Sequence, residues 1–269
     1  MTPTLLTVAR CSIIEIIETN NIRLPEARKT GRPRIVDWVD AITLGVYQHL
    51  STRATKKSVW SDFKKKIGCA YSTFVTALND AGHIVLEILG ALMQANRKAS
   101  HIVKYTDATD IPVCLNKNAT RNRTMKDSTA TWGYSGKGYY YGLKMTMTRD
   151  AEGRLLGLKF TAANANDRKI FRSVNKNIGG IIVADAGYVD KEMEKEMSVP
   201  GRVLLIKPYK NMRKIAAAWQ TAVYNSRFQI EFDFRNLKLF HGLVSSLPRS
   251  INGMIGNYLF ALLSFVVSK

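Results

Sequence analysis

Residues 139–185 have the sequence YYYGLKMTMTRDAEGRLLGLKFTAANANDRKIFRSVNKNIGGIIVAD. Two apolar runs flank Asp150-Ala-Glu-Gly153, which is a signal for a β-hairpin. Asn166-Asp167 is typical of a helix cap, and a short apolar run ends at Asp185. In order, the stretch predicts a strand over 139–148, a strand over 155–161, a helix over 168–175 and a strand over 181–183. Strands that alternate with helices predict an α/β layer fold.

The flanking sequence extends this alternation. A β-rich run at 101–106 ends at Asp107, and a polar loop is predicted over 115–137. Further along, a helix is predicted over 189–197, a strand over 203–206, and helices from about 216 to the end with a break near Pro248.

The first 100 residues have a different pattern and predict helices over 35–50, 56–67, 71–80 and 83–95. Gly68-Cys69-Ala70 separates the second helix from the third, and Ala81-Gly82 is predicted to interrupt the helical run again. Helix, short glycine-containing turn and helix is the layout of a helix-turn-helix, in which Tyr71 opens the recognition helix. Any small helical bundle has such a turn, which is the alternative. We therefore expect a helical domain over 1–100 and a second domain over 101–269.

The charge of the chain indicates a polyanionic partner. The 269 residues carry 40 Lys and Arg against 21 Asp and Glu, a formal net charge of +19. Nucleic acid and an anionic membrane surface both fit this charge. The bases are spread along the chain, which favours a folded surface over a basic tail; a basic protein with solvated lysines is the alternative. Before the predicted helices, Arg32 and Arg34 fit insertion into a DNA minor groove, although a plain basic linker, which Gly31 and Pro33 would also produce, is the favoured alternative.

Other features concern the compartment. The three cysteines, Cys11, Cys69 and Cys114, have no paired spacing, which argues against disulfides or a cysteine zinc site and fits a reducing cytosol. No signal peptide is predicted. Residues 251–267 are apolar but short and interrupted by Asn and Gly, which favours a buried helix over a membrane span. A cytoplasmic protein, nucleoid-associated and with no membrane partner, is expected.

Three carboxylates are candidates for a common site. Asp107 and Asp185 each follow an apolar strand, and strand ends in α/β sheets are where ligands bind. A single such Asp is more often a cap or turn residue. Residues 201–269 contain only two acids among ten bases, and one of them is Glu231. Asp110 competes with Asp107 for the first position, but Ile111-Pro112 suggests that the chain is leaving the site there.

The segment around Glu231 places four functional side chains at helical spacing. Tyr224, Arg227, Glu231 and Lys238 are spaced so that one helix face presents them all. An ordinary Arg–Glu pair explains two of them but not the others. Three carboxylates suit two Mg²⁺ or Mn²⁺ ions at a phosphodiester. Arg227 and Lys238 would then hold flanking phosphates, and Tyr224 would stack on the strand or hydrogen-bond to it.

This segment resembles the YREK signature, Tyr-x2-Arg-x3-Glu-x6-Lys, of DDE transposases from bacterial insertion sequences. All four residues and all three spacings match. Asp107-Ala-Thr109 is similar to the motif around the first catalytic carboxylate, and Asp185-Ala-Gly-Tyr188 to the motif around the second. Tyr141-Gly-Leu-Lys144 is similar to the strand between them, which adds Lys144 to the DNA-binding residues.

The resemblance implies an RNase H-like mixed sheet flanked by helices over 101–269, with Asp107, Asp185 and Glu231 as catalytic metal ligands for two ions. It also implies binding to the terminal inverted repeats, cleavage of double-stranded DNA, attack of the free 3′-hydroxyl on target DNA, and a homodimer on DNA. The interval from Asp185 to Glu231 is too short for the long β-rich insertion of many such enzymes, so the compact, insertion-free branch is the nearer likeness. An inactive DNA-binding repressor and an RNase H-like nuclease without strand transfer are the alternatives.

Two further predictions concern neighbouring residues. Asp167 is explained by helix capping rather than by metal binding. The aromatic side chains of Tyr139, Tyr140 and Tyr141 are expected to pack on both faces of a strand rather than to stack on bases.

Overall fold

The computed structural model describes residues 4–26, 33–125, 130–188, 190–206, 217–244 and 250–269. The described chain divides into two compact units, one of Met1–Leu92 with Asn236–Lys269 and one of Met93–Arg235. These units do not coincide with the predicted boundary at residue 100, because the C-terminal residues belong to the first unit. The predicted functional division of the chain stays a prediction.

The first unit is helical. Its helices are α1 (Leu5–Thr19), α2 (Trp38–Leu50), α3 (Lys56–Ile67), most of α4 (Tyr71–Lys98), and, after an interval of chain, the C-terminal helix, here called α9 (Ile251–Val267). Helix α2 packs against both α1 and α9, and a Cβ on Gly45 of α2 would collide with the ring of Phe260. Buried His49 of α2 contacts the carbonyl oxygen of His241 through Nδ1 at 2.7 Å. The C-terminal segment therefore completes the core of the N-terminal helices.

Helix α4 differs from its prediction. The break expected at Ala81-Gly82 is wrong, because α4 continues through these residues to Lys98. Both residues are buried, and a Cβ on Gly82 would meet the Cα of Gly256 in α9 at 3.7 Å, so the small residue permits close helix packing. Gly68 does end α3, in the left-handed conformation that suits glycine. By length and composition α4 is the one described helix that could cross a membrane, which is weak evidence for a span, and 44% of its apolar window is buried.

The second unit is built on a six-stranded mixed sheet. Its strands are β1 (Val103–Pro112), β2 (Thr131–Ser135), β3 (Gly138–Asp150), β4 (Leu155–Ala162), β5 (Gly180–Ala184) and β6 (Arg202–Ile206). Strand β1 is antiparallel to β3 and parallel to β5, which is parallel to β6. Along the edge opposite to β1, the long strand β3 pairs first with β2 and then with β4.

Helices accompany this sheet in the second unit. They are α5 (Asp167–Asn175), α6 (Lys191–Met197), α7 (Ala218–Asn225) and the first part of α8 (Phe228–Leu239). Phe171 of α5, Met193 of α6, and Ile182 and Ala184 of β5 share one buried cluster. The hydroxyls of Thr106 and Thr148 both donate to the Asn175 side chain, so the even-numbered residues of β1 face α5.

Several local predictions are confirmed, and others are corrected. The 150–153 hairpin is present with Gly153 at φ +88°, and the Asn166 side chain caps α5. Strand β1 does not end at Asp107 but continues to Pro112. The expected polar loop over 115–137 contains a 3-10 turn, Asn116–Arg121, and the edge strand β2.

Candidate active site

Asp107 and Asp185 are brought together by the register of two parallel strands. Tyr105 of β1 pairs with Val183 of β5, and each Asp follows two residues later. Because side chains in strands alternate with a period of two, both carboxylates point to the same side of the sheet, away from α5. Asp185 follows the last residue of β5 as predicted, whereas Asp107 lies inside β1 and pairs with Met147. Asp110 lies three residues after Asp107 in β1, so the same alternation places its side chain on the opposite face of the sheet.

Glu231 and its neighbours come from two helices rather than one. The prediction of a single helix face over 224–238 is wrong, because α7 ends at Asn225 and α8 begins at Phe228. Arg227 lies in the turn between them, and Ile230 N donates to its carbonyl oxygen at 3.1 Å. The turn is held on the sheet by Ser226, whose hydroxyl lies 2.7 Å from the hydroxyl of Tyr105.

The three carboxylates converge on one guanidinium. Arg227 Nη1 donates to Asp107 Oδ2 at 3.1 Å, and Nη2 donates to Glu231 Oε1 at 2.6 Å. The same Nη2 lies 3.8 Å from Asp185 Oδ1. Residues that are far apart in the chain are therefore held around a single cation, in the combination that the sequence predicts.

The electrostatics of this cluster are unfavourable for Asp107. Burial raises the pKa of Asp107 to about 6, and the charges of Asp185 and Glu231 add to the rise, while the Ala108 backbone N–H and Arg227 oppose it. Burial acts against the charge of Arg227, but the three carboxylates outweigh it and raise the pKa of this guanidinium. Concentrated negative charge of this kind is typical of sites that bind cations or perform acid–base chemistry.

Tyr224 joins the same cluster. Its hydroxyl donates to Asp185 Oδ1 at 3.3 Å, and the guanidinium of Arg227 lies 6.0 Å from the ring centre. Burial, followed by the charge of Asp185, raises the pKa of Tyr224, so the phenol is protonated and acts as a hydrogen-bond donor at neutral pH.

A buried ion pair that the sequence motifs do not include positions α8. Arg149 of β3 donates to Asp233 Oδ2 at 3.0 Å, with side chains that are 9% and 8% exposed. Arg149 also donates to the carbonyl oxygens of Asp150 and Ala151. Asp233 lies two residues after Glu231, so this pair fixes the helix that carries the third carboxylate. The sequence contains one signal for this pair. Asp233 lies between two aromatic residues, Phe232 and Phe234, and a carboxylate that is buried among apolar side chains requires a charged partner.

The other residues predicted to bind DNA are not in this cluster. Lys144 Nζ donates to Asp167 Oδ1 at 2.7 Å, in the direction of α5. Arg34 lies in the first unit, where its guanidinium stacks 3.6 Å from the Trp38 ring and pairs with Asp80. Lys238 is on the last turn of α8, in the part that belongs to the first unit. Arg32 lies outside the described residues.

The carboxylates match divalent metals in their chemistry, since hard oxygen donors suit Mg²⁺ or Mn²⁺. Their arrangement is centred on Arg227, however, and within the described residues no group of three His, Cys, Asp or Glu is placed to hold a metal ion. The donor set therefore fits a metal on condition that Arg227 moves away from the carboxylates. The electrostatic strain on Asp107 is in accord with this, because a divalent ion would relieve it more fully than one guanidinium.

Comparisons with known proteins place this site in a family. Among solved structures the chain is similar to a piggyBac transposase, determined by cryo-EM in a synaptic complex with hairpin DNA, with a TM-score of 0.51 and 11% identity over 96% of this chain and 72% of that chain. At this identity the likeness shows the fold alone, and it confirms the RNase H-like fold that the motifs imply. No curated protein matches the chain. Residues 97–250, more than half of the chain and all three carboxylates, match the family described as the transposase DDE domain, and the chain therefore belongs to this family.

Proposed function

We propose that this protein is the active transposase of a bacterial insertion sequence, from the compact branch without a long insertion. It binds the terminal inverted repeats of the element and catalyses metal-dependent strand cleavage and strand transfer. Family membership supports DNA cleavage and transfer in general terms. The observation that carries the specific proposal is the convergence of Asp107, Asp185 and Glu231 on Arg227.

The proposed roles follow from the contacts. Asp107, Asp185 and Glu231 hold two Mg²⁺ or Mn²⁺ ions, which when bound activate the attacking oxygen and stabilise the leaving oxygen of a phosphodiester. Arg227 then leaves the carboxylates and binds a DNA phosphate through its planar fork. Tyr224 donates its hydroxyl to the same phosphate or stays on Asp185.

Other parts of the chain contribute DNA binding in this proposal. Lys144 and Lys238 bind phosphates beside the site, and Arg32 and Arg34 extend the contact beyond the helix-turn-helix of residues 1–100. The net charge of +19 supports a long polyanionic partner. The protein acts as a homodimer on double-stranded DNA in the cytoplasm, at the nucleoid.

The experiment compares cleavage with binding on DNA that carries the element ends. We expect Mg²⁺-dependent nicking by the wild-type protein, loss of nicking in Asp185→Asn, and DNA affinity within about threefold of wild type. Asp110→Asn is the matched control, because Asp110 lies on the same strand as Asp107 but on the other face of the sheet. Equal nicking by Asp185→Asn would refute the assigned site.

The same assay separates the alternatives. A protein that binds the ends but nicks them in neither Mg²⁺ nor Mn²⁺ is a repressor. A protein that hydrolyses the ends but yields no joined product in either metal is a nuclease. Inverted repeats that bracket the reading frame in its native DNA would support the transposase.

A further inference from the structure

An open groove of about 530 Å³ lies beside the edge strand β2. Its walls include Trp132, Tyr134 and Tyr139, residues that are 46%, 69% and 71% exposed. Strand alternation and the pairing of Tyr134 with Tyr139 place the three rings on one side of the β2–β3 ribbon. Tyr139 was expected to pack within the sheet, and this is wrong, although Tyr140 and Tyr141 are buried. Three exposed aromatic rings together form a surface with unused stacking faces.

The opposite wall of the groove is the segment that leads into α5, and it is held close to β2. A Cβ on Gly133 would lie 2.7 Å from the Cβ of Ala163, so only glycine permits this approach. Thr131 Oγ1 and Asn164 exchange hydrogen bonds at 3.0 and 3.2 Å across the gap. The rings also restrain one another, since Trp132 contacts Tyr141 edge to face. The groove is therefore preformed.

Arg168 is the cation of the groove that can approach an anion, because its ion pair is long and its side chain is exposed. Arg168 is exposed at the start of α5, 3.9 Å from Asp190. Lys144 also lines the groove, although Asp167 neutralises it. Asp167 and Asp190 therefore offset the charges of Lys144 and Arg168, and the positive end of the α5 dipole adds to the potential around the exposed Arg168 guanidinium.

The groove adjoins the turn that carries the second catalytic carboxylate. Gly187, two residues after Asp185, is part of its lining. The lining of the groove therefore includes a residue directly beyond the end of β5, close to Asp185 along the chain.

We infer that this groove binds unpaired nucleotides of the DNA strand next to the cleaved phosphodiester, with bases stacked on Trp132, Tyr134 and Tyr139 and a phosphate on Arg168. Aromatic platforms beside a cation are the general means of holding single strands, and stacking requires base faces that a duplex conceals. The identity of the strand rests on the proposed function, but the binding itself does not require cleavage.

The test uses the full-length protein in EDTA with two fluorescein-labelled probes, a twelve-nucleotide oligothymidylate and a 12-base-pair duplex. Trp132→Leu and Tyr139→Leu should each weaken oligothymidylate binding by about tenfold, and duplex binding by less than twofold. The aromatic replacements Trp132→Phe and Tyr139→Phe should stay within about threefold of wild type. Arg168→Gln should lower the slope of log affinity against log salt by about 0.7, whereas Trp132→Leu should leave it unchanged.

Circular dichroism and thermal unfolding establish that each variant is folded. The Tyr139 variants should disturb the fold less than the Trp132 variants, because Tyr139 is more exposed. Wild-type affinity of both Leu variants for the oligothymidylate would overturn the inference. An equal loss on both probes would also overturn it, because the groove would then not select unpaired bases. The proposed function fails separately, if element ends are neither nicked nor joined while the oligothymidylate result holds.

Discussion

At the scale of single residues, Arg227 and Asp107 form the electrostatic centre of this protein. One guanidinium balances three carboxylates, and the most buried of them is held in its charged state against its own preference. Proteins with such strained sites are commonly less stable than variants in which the strain is removed. The cost should therefore be measurable in the metal-free protein.

Asp107→Asn is expected to stabilise the metal-free protein at neutral pH. The pKa of Asp107 is about 6 in the folded state against an ordinary 3.8, so the folded state binds the proton more tightly than the unfolded chain. The free energy of unfolding of the wild type must then fall as the pH rises from about 4 to about 6, and stay lower above that. We expect a gain of about 1–3 kcal/mol for the variant at pH 7.5 that vanishes near pH 4.

Urea unfolding in EDTA at the two pH values measures this gain. Asp110→Asn is the control, because it makes the same replacement on the same strand outside the cluster around Arg227. A gain for Asp107→Asn of the same size at pH 4 and pH 7.5 would contradict the ionisation argument.

At the scale of elements, the site depends on how the α7–α8 segment is fastened to the sheet. Tyr105 holds Ser226 in the turn, and Arg149 holds Asp233 in α8. Arg227 and Glu231 lie between these two attachments, so contacts outside the carboxylate cluster help to position them.

Asp233→Leu is expected to reduce the free energy of unfolding by about 3–5 kcal/mol, because it leaves Arg149 charged and buried without its ion-pair partner. The double variant Arg149→Met/Asp233→Leu should recover part of this loss, since no buried charge remains. Urea unfolding measures both. The exposed pair of Arg172 and Glu196 supplies the control, where Glu196→Gln should cost less than about 1 kcal/mol. Similar losses for Asp233→Leu and Glu196→Gln would show that the buried pair does not hold α8.

The elements also show which features the sequence can predict. The hairpin and the α5 cap follow from local signals, Gly153 and Asn166, and both are present. The spacing from Tyr224 to Glu231 predicts the cluster but not its helices, because a turn that keeps the hydrogen bond from Ile230 N to Arg227 O preserves nearly the same spacing. The groove beside β2 depends on pairing across the sheet, which no local pattern contains.

At the scale of the whole molecule, the C-terminal helix belongs with the N-terminal helices. Helix α9 buries most of its length in the unit that contains α1 and α2. The ring of Phe260 occupies the space that Gly45 leaves open on α2. A boundary at residue 100 would therefore divide α9 from the helices against which it packs.

Residues 1–100 expressed alone are expected to be helical but not cooperatively folded, because removal of α9 exposes the apolar face of α2 and takes from His49 its contact with the His241 carbonyl. The near-ultraviolet circular dichroism should be weak, the fragment should bind the dye ANS, and its thermal transition should be broad. Residues 1–92 joined through a flexible linker to 236–269 are the matched control, and they should unfold in one sharp transition. A sharp transition of the 1–100 fragment would mean that α9 only covers a core that the first four helices already complete.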